Sequence, residues 1–194
     1  MKILCFGDSN TYGYDPCSFF GGRYDPSDRW VDILAEKTGW EMINAGENGR
    51  EIPRREGELR RFRELMEDVK PDRLFVMLGG NDLLQGASPE EATARMEAFL
   101  LGAQIERQSI LLIGPLPVAR GAWVATEERV RESVELADRC REMAAKQGFL
   151  YVDGRNWGVE LTYDGVHFTE KGHRAFAEGL WNYGSMSIVG VETE

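Results

Sequence analysis

Four short polar segments contain the residue types that acyl transfer requires. The segments are Gly7–Asn10, Asn44–Gly49, Gly79–Asp82 and Asp164–His167. Together they supply a serine hydroxyl as a nucleophile, a histidine as its base, a carboxylate to orient the histidine, and hydrogen-bond donors for a negatively charged oxygen. Each segment alone is also typical of an ordinary turn, because Gly, Asn, Asp and Ser are common turn residues. The combination, and no single segment, therefore indicates chemistry.

Ser9 is the candidate nucleophile, and it needs a base because a serine hydroxyl is a poor nucleophile until its proton is removed. Histidine is the usual base, and the chain contains only two, His167 and His173. His173 lies about one turn into a predicted helix, where a side chain is more often a packing or surface residue. His167 precedes that helix, three residues after Asp164, whose carboxylate could hold the imidazole Nδ1–H. The sequence therefore favours Ser9, His167 and Asp164 as a catalytic set.

Donors for the negative oxygen of a tetrahedral intermediate are expected at the Ser9 N–H, the Gly46 N–H and the Asn81 side chain. Each such donor is worth roughly 3–4 kcal/mol when removed. A strand-end turn at Gly46 and a left-handed turn at Asn81 explain each position equally well by itself. Asp8 is expected to accept hydrogen bonds from nearby backbone N–H groups and so to hold the turn.

Alternating strand-like and helix-like segments must position these residues. The predicted strands are Lys2–Phe6, Glu41–Ala45, Arg73–Leu78, Ser109–Ile113 and Leu150–Val152. The predicted helices are Trp30–Lys37, Gly57–Val69, Ser88–Gln104, Thr126–Gln147 and Thr169–Trp181. This alternation predicts a three-layer α/β/α sandwich with a five-stranded parallel sheet. Ligands of such sheets bind at the carboxyl ends of the strands, and three of the four polar segments follow a strand.

The composition limits the class of protein. The 194 residues fit one domain over residues 1–194, and 42% hydrophobic residues can form an ordinary core. The chain has 33 acidic and 23 basic residues and a formal charge of -10, so we expect it to bind neither nucleic acid nor anionic membrane surfaces. No apolar stretch approaches the ~20 residues of a membrane-spanning helix, and the apolar run at the N-terminus is too short for a signal peptide.

The cysteines and histidines favour neither a disulfide framework nor a metal. Cys5, Cys17 and Cys140 are odd in number and widely spaced, which makes a reducing cytoplasm the expected compartment. Two histidines without a third ligand nearby argue against a zinc site, so no metal is expected. Among the tryptophans, Trp30 is expected to pack in the core, whereas Trp123, in an irregular loop after the fourth strand, is a candidate for a substrate wall.

The ordered set Ser9, Gly46, Asn81 and Asp164-x-x-His167 resembles the pattern of the SGNH hydrolases, also called the GDSL-type esterase/lipase family. The resemblance spans nearly the whole chain. It implies a flavodoxin-like α/β/α fold, an open and shallow active site, and serine-dependent ester hydrolysis without a cofactor. Residues 28–34 and 48–50 resemble the arylesterase and acyltransferase branch. That branch implies short-chain acyl or aryl esters or acetylated sugars as small-molecule substrates, some acyl transfer, and a chain that could form a homo-oligomer.

Two residues depart from the usual sequence motifs of the family. Asn10 stands where the first block usually has leucine, and Glu47 is an unexpected charge beside Gly46. Both, together with Trp123, are the predicted substrate-binding residues. One alternative is a flavodoxin-like module that holds a nucleotide or flavin phosphate at Gly7–Gly13, although the chain lacks a Walker-type lysine and a regular glycine fingerprint. A hydrolase relative that has lost catalysis is a further alternative.

Overall fold

The computed structural model describes residues 1–19 and 22–187 of the chain. In chain order the strands are β1 (Lys2–Gly7), β2 (Tyr14–Asp15), β3 (Gly22–Arg23), β4 (Glu41–Gly46), β5 (Arg73–Met77), β6 (Ile110–Ile113) and β7 (Leu150–Val152). The helices are α1 (Ser9–Tyr12), α2 (Trp30–Thr38), α3 (Glu56–Val69), α4 (Gly80–Leu84), α5 (Pro89–Leu101), α6 (Glu127–Gln147) and α7 (Glu170–Ser187).

Five strands form one parallel sheet in the order β4-β1-β5-β6-β7, and β2 pairs with β3 in a separate antiparallel hairpin. This is the strand order of a flavodoxin-like sheet. Gly7, at the end of β1, lies opposite Gly46 on one side and Met77 on the other. The loops that follow these three strands therefore start side by side. The predicted five-stranded parallel sheet is confirmed.

The strands alternate between two hydrophobic cores, because successive side chains of a strand point to opposite faces of the sheet. In β1, Ile3 and Cys5 belong to one core and Leu4 and Phe6 to the other. Residues of α2 and α7 complete the core that contains Ile3 and Cys5. Residues of α3, α5 and α6 complete the core that contains Leu4 and Phe6. These layers match the expected sandwich, with both faces of the sheet covered by helices.

Helix boundaries follow from recognisable end signals. In α5, Ser88 Oγ accepts from the Glu91 N–H and Glu91 returns a bond to the Ser88 N–H, which is the expected capping box. Helix α7 continues to Ser187, beyond the predicted end at Trp181. The short helices α1 and α4 and the β2–β3 hairpin were not predicted. Among the helices of the described residues, none combines the length and apolarity needed to cross a membrane.

Trp30 and His173 lie in the core beside the nucleophile segment. Trp30 is fully buried, as expected, and its Nε1–H donates to the Asn10 carbonyl oxygen at 3.0 Å. His173 is also fully buried, and its ring lies edge-on to Tyr24 and Phe168 at centroid distances of 5.4 and 5.3 Å. Neither ring nitrogen has a hydrogen-bond partner among the described residues. His173 is therefore a packing residue, and its neutral form is the one that the fold accommodates.

We predict that His173 makes the fold sensitive to acid. Burial, assisted by the charge of Arg29, lowers the pKa of His173 to about 3, whereas an unfolded histidine has a pKa of roughly 6.5. Because the unfolded chain binds the proton more tightly, the contribution of His173 to stability is complete above roughly pH 6.5 and is lost as the pH falls toward 3. Between pH 7 and pH 5 the loss should be about 2 kcal/mol.

The measurement compares urea unfolding of the wild type and His173→Phe at pH 7 and pH 5. Phenylalanine keeps the ring beside Tyr24 and Phe168 and removes the titrating group. The variant should lose about 2 kcal/mol less than the wild type between the two pH values. Identical pH dependence of the two proteins would show that His173 is not the group responsible.

Candidate active site

The nucleophile segment begins where β1 ends at the edge of the sheet. Asp8 caps α1, since its Oδ1 accepts from the Asn10 N–H at 3.0 Å. This is the local role that the sequence predicts. Ser9 is the first residue of α1, so its N–H has no partner within the helix. Its side chain is buried apart from a small exposed fraction, and a free backbone donor therefore sits beside a nearly buried hydroxyl.

The structure joins Ser9, His167 and Asp164 in one chain of hydrogen bonds. His167 Nε2 lies 3.0 Å from Ser9 Oγ, and His167 Nδ1 lies 2.6 Å from Asp164 Oδ2. Asp164 and His167 are buried, and they lie in the turn that precedes α7. A base within hydrogen-bond reach of the hydroxyl, itself held by a carboxylate, is the arrangement that activates a serine.

The carboxylate of Asp164 is held in its ionised form. Burial raises its pKa, but hydrogen bonds from the backbone and ring of His167, the Val166 N–H and the Thr162 hydroxyl outweigh burial and leave the pKa below its ordinary value. The same bonds tighten the turn, because Asp164 Oδ1 accepts from the N–H groups two and three residues ahead. Asp164 is thus ionised at neutral pH and oriented toward the imidazole Nδ1.

Asn81 lies in the first turn of α4, and its amide is anchored on one side. Asn81 Nδ2 donates to the Arg50 carbonyl oxygen at 3.0 Å. An amide nitrogen carries two hydrogens, so one donor remains after this bond. Asn81 and Ser9 line the same cavity. The bond to Arg50 therefore fixes the amide plane while leaving an N–H for a ligand.

The prediction for Gly46 is corrected by the structure. Its N–H donates to Asn44 Oδ1 at 3.0 Å, and Gly46 does not line the cavity that contains Ser9 and His167. The glycine instead permits a close approach, because a Cβ there would lie 2.1 Å from the Tyr12 nitrogen. Gly46 lets α1 pack against the end of β4.

Gly49 occupies the position in the cavity that is predicted for Gly46. It lines the cavity together with Ser9, Asn81 and His167. Its φ of +73° is the left-handed conformation that favours glycine. Among the described residues, no acceptor is recorded for its N–H. The Gly49 N–H is therefore the backbone donor that this segment can offer to a ligand. Its position in the cavity identifies it, and that position cannot be read from the sequence alone.

Arg50 fixes the loop that carries Gly49. Its guanidinium donates to the carbonyl oxygens of Gly7, at 2.8 Å, and of Ala45. It also lies 4.1 Å above the ring centroid of Phe6. The Arg50 carbonyl oxygen also accepts a hydrogen bond from the Asn81 amide. Arg50 therefore connects the ends of β1 and β4 with α4.

A cavity of about 470 Å³ opens in front of the nucleophile. Its walls are Ser9, Tyr14, Asn48, Gly49, Asn81, Leu84, Gln85, Trp123 and His167. The rings of Tyr14 and Trp123 both meet the His167 imidazole edge-on, each with a centroid distance of 4.9 Å. The predicted position of Trp123 at a substrate wall agrees with this placement, although its contact with a substrate stays a prediction.

Glu47 and Asn10, the other two predicted substrate-binding residues, do not line the cavity in front of the nucleophile, and their contact with a substrate stays a prediction. The Glu47 carboxylate is mostly exposed, pairs with Arg50 at 2.7 Å and lines a neighbouring cavity without Ser9. Asn10 borders a small cavity, but its amide is held by the backbone of Val166 and Phe168. The two polar side chains are thus engaged within the protein.

The residues that the structure describes contain no group of three or more His, Cys, Asp or Glu side chains arranged to hold a metal ion. The chemistry of the site is that of a hydroxyl, an imidazole, a carboxylate and convergent N–H donors. These are the groups that acyl transfer through a covalent intermediate uses.

The profile of the GDSL-like Lipase/Acylhydrolase family matches residues 5–175, a span that includes every residue placed at the site. The chain belongs to this family. It is accordingly an ester-hydrolysing enzyme, and its assignment to the SGNH or GDSL-type hydrolases, made from the ordered polar residues, is confirmed.

Two curated relatives are similar to this GDSL-like hydrolase. Esterase TesA of Pseudomonas aeruginosa is 26% identical over 164 residues, which cover 81% of this chain and 78% of TesA. The uncharacterized lipoprotein YqeF of Bacillus subtilis is 37% identical over 103 residues. That match covers 51% of this chain and 40% of YqeF, so it spans less than half the length of this relative.

Solved structures of hydrolases share the fold. The M. smegmatis aryl esterase has a TM-score of 0.80 at 23% identity, over 95% of this chain and 98% of that protein. A carbohydrate acetylesterase family member from Sinorhizobium meliloti has a TM-score of 0.78 at 26% identity, over 96% of this chain and 98% of that protein. The flavodoxin-like fold that the sequence resemblance implies is therefore confirmed.

The alternative of a nucleotide or flavin module at Gly7–Gly13 is not supported. This segment of the GDSL-like hydrolase forms the single-turn helix that carries Ser9. The Asp8 carboxylate already caps that helix, so an acidic group occupies the place where a phosphate would bind. The hydrogen-bonded set at Ser9 also argues against a relative that has lost its catalytic groups.

We predict that Gly46→Ala displaces α1 and lowers both stability and activity. The added Cβ would lie 2.1 Å from the Tyr12 nitrogen and 2.6 Å from the Thr11 carbonyl carbon, and neither backbone atom can rotate away. Overpacking of this kind costs roughly 3 kcal/mol. The midpoint of urea unfolding should fall, and kcat for p-nitrophenyl acetate should fall even when corrected for the folded fraction.

Gly57→Ala is the matched control, because a Cβ at this exposed position in α3 meets nothing within 4 Å. It should keep wild-type activity and unfold at an equal or higher urea concentration. Wild-type stability and activity of Gly46→Ala would contradict the tight packing of α1 on β4.

Proposed function

We propose that this GDSL-like hydrolase is a serine esterase that cleaves short-chain acyl esters of small alcohols or phenols through an acyl-enzyme. The observation that carries the proposal is the hydrogen-bonded chain from Ser9 Oγ through His167 to Asp164, with distances of 3.0 and 2.6 Å. It lies at the floor of a cavity large enough for a small ester.

In the first half of the reaction, Ser9 Oγ attacks the carbonyl carbon of the ester and His167 Nε2 takes the hydroxyl proton. Asp164 holds the Nδ1–H and stabilises the imidazolium that forms. The tetrahedral intermediate then collapses, the bond to the alcohol oxygen breaks, and His167 returns the proton to the leaving alcohol. The product of this half is an ester between Ser9 and the acyl group.

In the second half, water attacks the acyl carbon while His167 Nε2 takes its proton. The bond to Ser9 Oγ breaks, the proton returns to Ser9, and the carboxylic acid leaves. An alcohol that enters the cavity in place of water would give a new ester instead. Acyl transfer is thus a side reaction of the same intermediate. Its extent depends on how well an alcohol bound in the cavity competes with water for the acyl-enzyme.

We assign stabilisation of the negative oxygen to the Ser9 N–H, the Gly49 N–H and the free amide hydrogen of Asn81. All three residues line the cavity. The Arg50 carbonyl that accepts the other Asn81 hydrogen prepares the amide before substrate arrives. Donors that need no rearrangement stabilise the transition state more than the ground state, so they act on kcat.

Cavity sizes support a short acyl group. A cavity of about 30 Å³ borders Ser9 and Asn81, which is room for roughly two water-sized groups. Most of its remaining walls are apolar, among them Leu78, Pro115, Leu116, Val118 and Val166. We propose that the acyl group enters this small cavity and that the alcohol or phenol lies in the larger one. An acetylesterase among the structural neighbours is consistent with this choice.

The test is hydrolysis of p-nitrophenyl acetate, butyrate and octanoate by wild type and Ser9→Ala at pH 8. We expect Ser9→Ala to lose at least ~1,000-fold in kcat, since the nucleophile is removed. Wild-type kcat/KM should fall from acetate to octanoate because the small cavity has no room for a long chain. Ser27→Ala, a change at an exposed serine, is the control and should keep full activity.

Full esterase activity in a folded Ser9→Ala protein would refute the serine mechanism. A preference for octanoate would leave the mechanism standing and would overturn the assignment of the acyl group to the small cavity.

We predict that Trp123 favours aromatic alcohols. Its side chain is 55% exposed at the cavity wall, with the ring edge on His167. An aromatic contact is worth about 1 kcal/mol. Trp123→Ala should therefore lower kcat/KM for phenyl acetate roughly fivefold more than for ethyl acetate. Trp123→Phe keeps a ring and should preserve most of the preference, and equal losses for both esters in Trp123→Ala would exclude the contact.

A further inference from the structure

Asn10 follows the nucleophile directly and connects it to the segment that carries the base. Asn10 Nδ2 donates to the Val166 carbonyl oxygen at 3.1 Å, and Asn10 Oδ1 accepts from the Phe168 N–H at 2.9 Å. Val166 and Phe168 are the two neighbours of His167 in the chain. One side chain therefore holds the backbone immediately before and after the base.

The backbone of Asn10 is fixed as firmly as its side chain. Its N–H donates to Asp8 Oδ1 at 3.0 Å, and its carbonyl oxygen accepts from Trp30 Nε1 at 3.0 Å. The Trp30 ring is fully buried in the core between the sheet and α7. Asn10 thus has little freedom to move relative to Ser9, and it transfers that rigidity to the His167 segment.

A separate constraint of this kind is needed because Asp164 cannot supply it. Asp164 is three residues from His167, so its carboxylate orients the imidazole only within its own turn. The 3.0 Å distance between Ser9 Oγ and His167 Nε2 joins groups 158 residues apart. It depends on contacts between α1 and the turn, and the amide of Asn10 makes two hydrogen bonds across that boundary.

We propose that Asn10 is a positioning residue for the esterase reaction: its amide sets the distance between Ser9 and His167 by binding the backbone on both sides of the base. The inference rests on the proposed serine mechanism. Leucine, the usual residue of the family at this position, could form neither bond. This chain therefore uses a polar link that the common form of the motif does not have.

The test uses Asn10→Asp and Asn10→Leu with p-nitrophenyl acetate. Aspartate keeps the size of the side chain and the bond from the Phe168 N–H, but it places an oxygen against the Val166 carbonyl. Leucine loses both bonds. Because a displacement near 1 Å can lower a rate roughly 100-fold, we expect kcat to fall about tenfold in Asn10→Asp and about 100-fold in Asn10→Leu, with KM changed less than about threefold. Asn156→Asp, a change at an exposed asparagine, is the matched control and should keep wild-type kcat.

Rates are expressed per active site, counted by the burst of p-nitrophenol on mixing, and thermal unfolding is followed for each variant. A positioning role predicts a fall in kcat per titrated site in molecules that are folded. A role in stability alone predicts a lower unfolding temperature and fewer titrated sites, each with the wild-type kcat, and that result would overturn the proposal. Asn10→Asp decides the question if Asn10→Leu does not fold.

Ser9→Ala, measured in parallel, distinguishes a failure of this inference from a failure of the serine mechanism on which it rests. An inactive Ser9→Ala together with wild-type kcat in both Asn10 variants would refute only the positioning role. An active Ser9→Ala would refute the serine mechanism and, with it, the basis of the inference.

Discussion

The strands β1, β4 and β5 end at the same height of the sheet, and the site depends on this alignment. Parallel pairing places Gly7 opposite Gly46 and Met77, so the loops after β1, β4 and β5 start at one edge of the sheet. Carbonyl groups at strand ends lose their ladder partners and need other donors when they are buried. Arg50 supplies donors to the carbonyl oxygens of Gly7 and Ala45. The partly buried Arg50 guanidinium therefore donates to two strand-end carbonyl oxygens and holds the loop that follows β4, which links the stability of the edge to the geometry of the site.

A buried carboxylate holds the other end of the same loop. Asp82 directly follows Asn81, is fully buried, and accepts from the Ile52 N–H and from Arg95, each at 2.9 Å. Burial raises the pKa of Asp82, and the bonds from Ile52 and Arg95 oppose that rise, as a buried charge requires. The loop from Glu47 to Ile52 is thus tied to the strand ends by Arg50 and to α4 by Asp82. Donors on a loop fixed at both ends need no rearrangement when charge develops on a substrate oxygen.

The sequence contained enough to predict the sheet and to propose the catalytic set, because both depend on local patterns. Apolar runs between amphipathic helices indicate a parallel sheet, and Asp164 with His167 forms a turn whose hydrogen bonds span three residues. The sequence does not predict the helices α1 and α4, because four or five residues cover little more than one helical turn and the apolar period cannot repeat. Gly46 and Gly49 are glycines of one segment, and only the packing of α1 on β4 separates their roles. Asn10 could not be understood locally either, since the partners of its side chain lie 156 and 158 residues away.

The loop that carries Trp123 is attached to the catalytic turn through backbone hydrogen bonds. The Trp123 N–H donates to the Asp164 carbonyl oxygen, and the preceding N–H donates to the Tyr163 carbonyl oxygen, both at 3.1 Å. The indole of Trp123 contacts the His167 imidazole from this loop, and the ring of Tyr14 contacts it from β2. Replacing the Trp123 ring leaves these backbone bonds in place, because they do not involve its side chain. The cavity wall can therefore change at Trp123 while the turn that holds the base keeps its position.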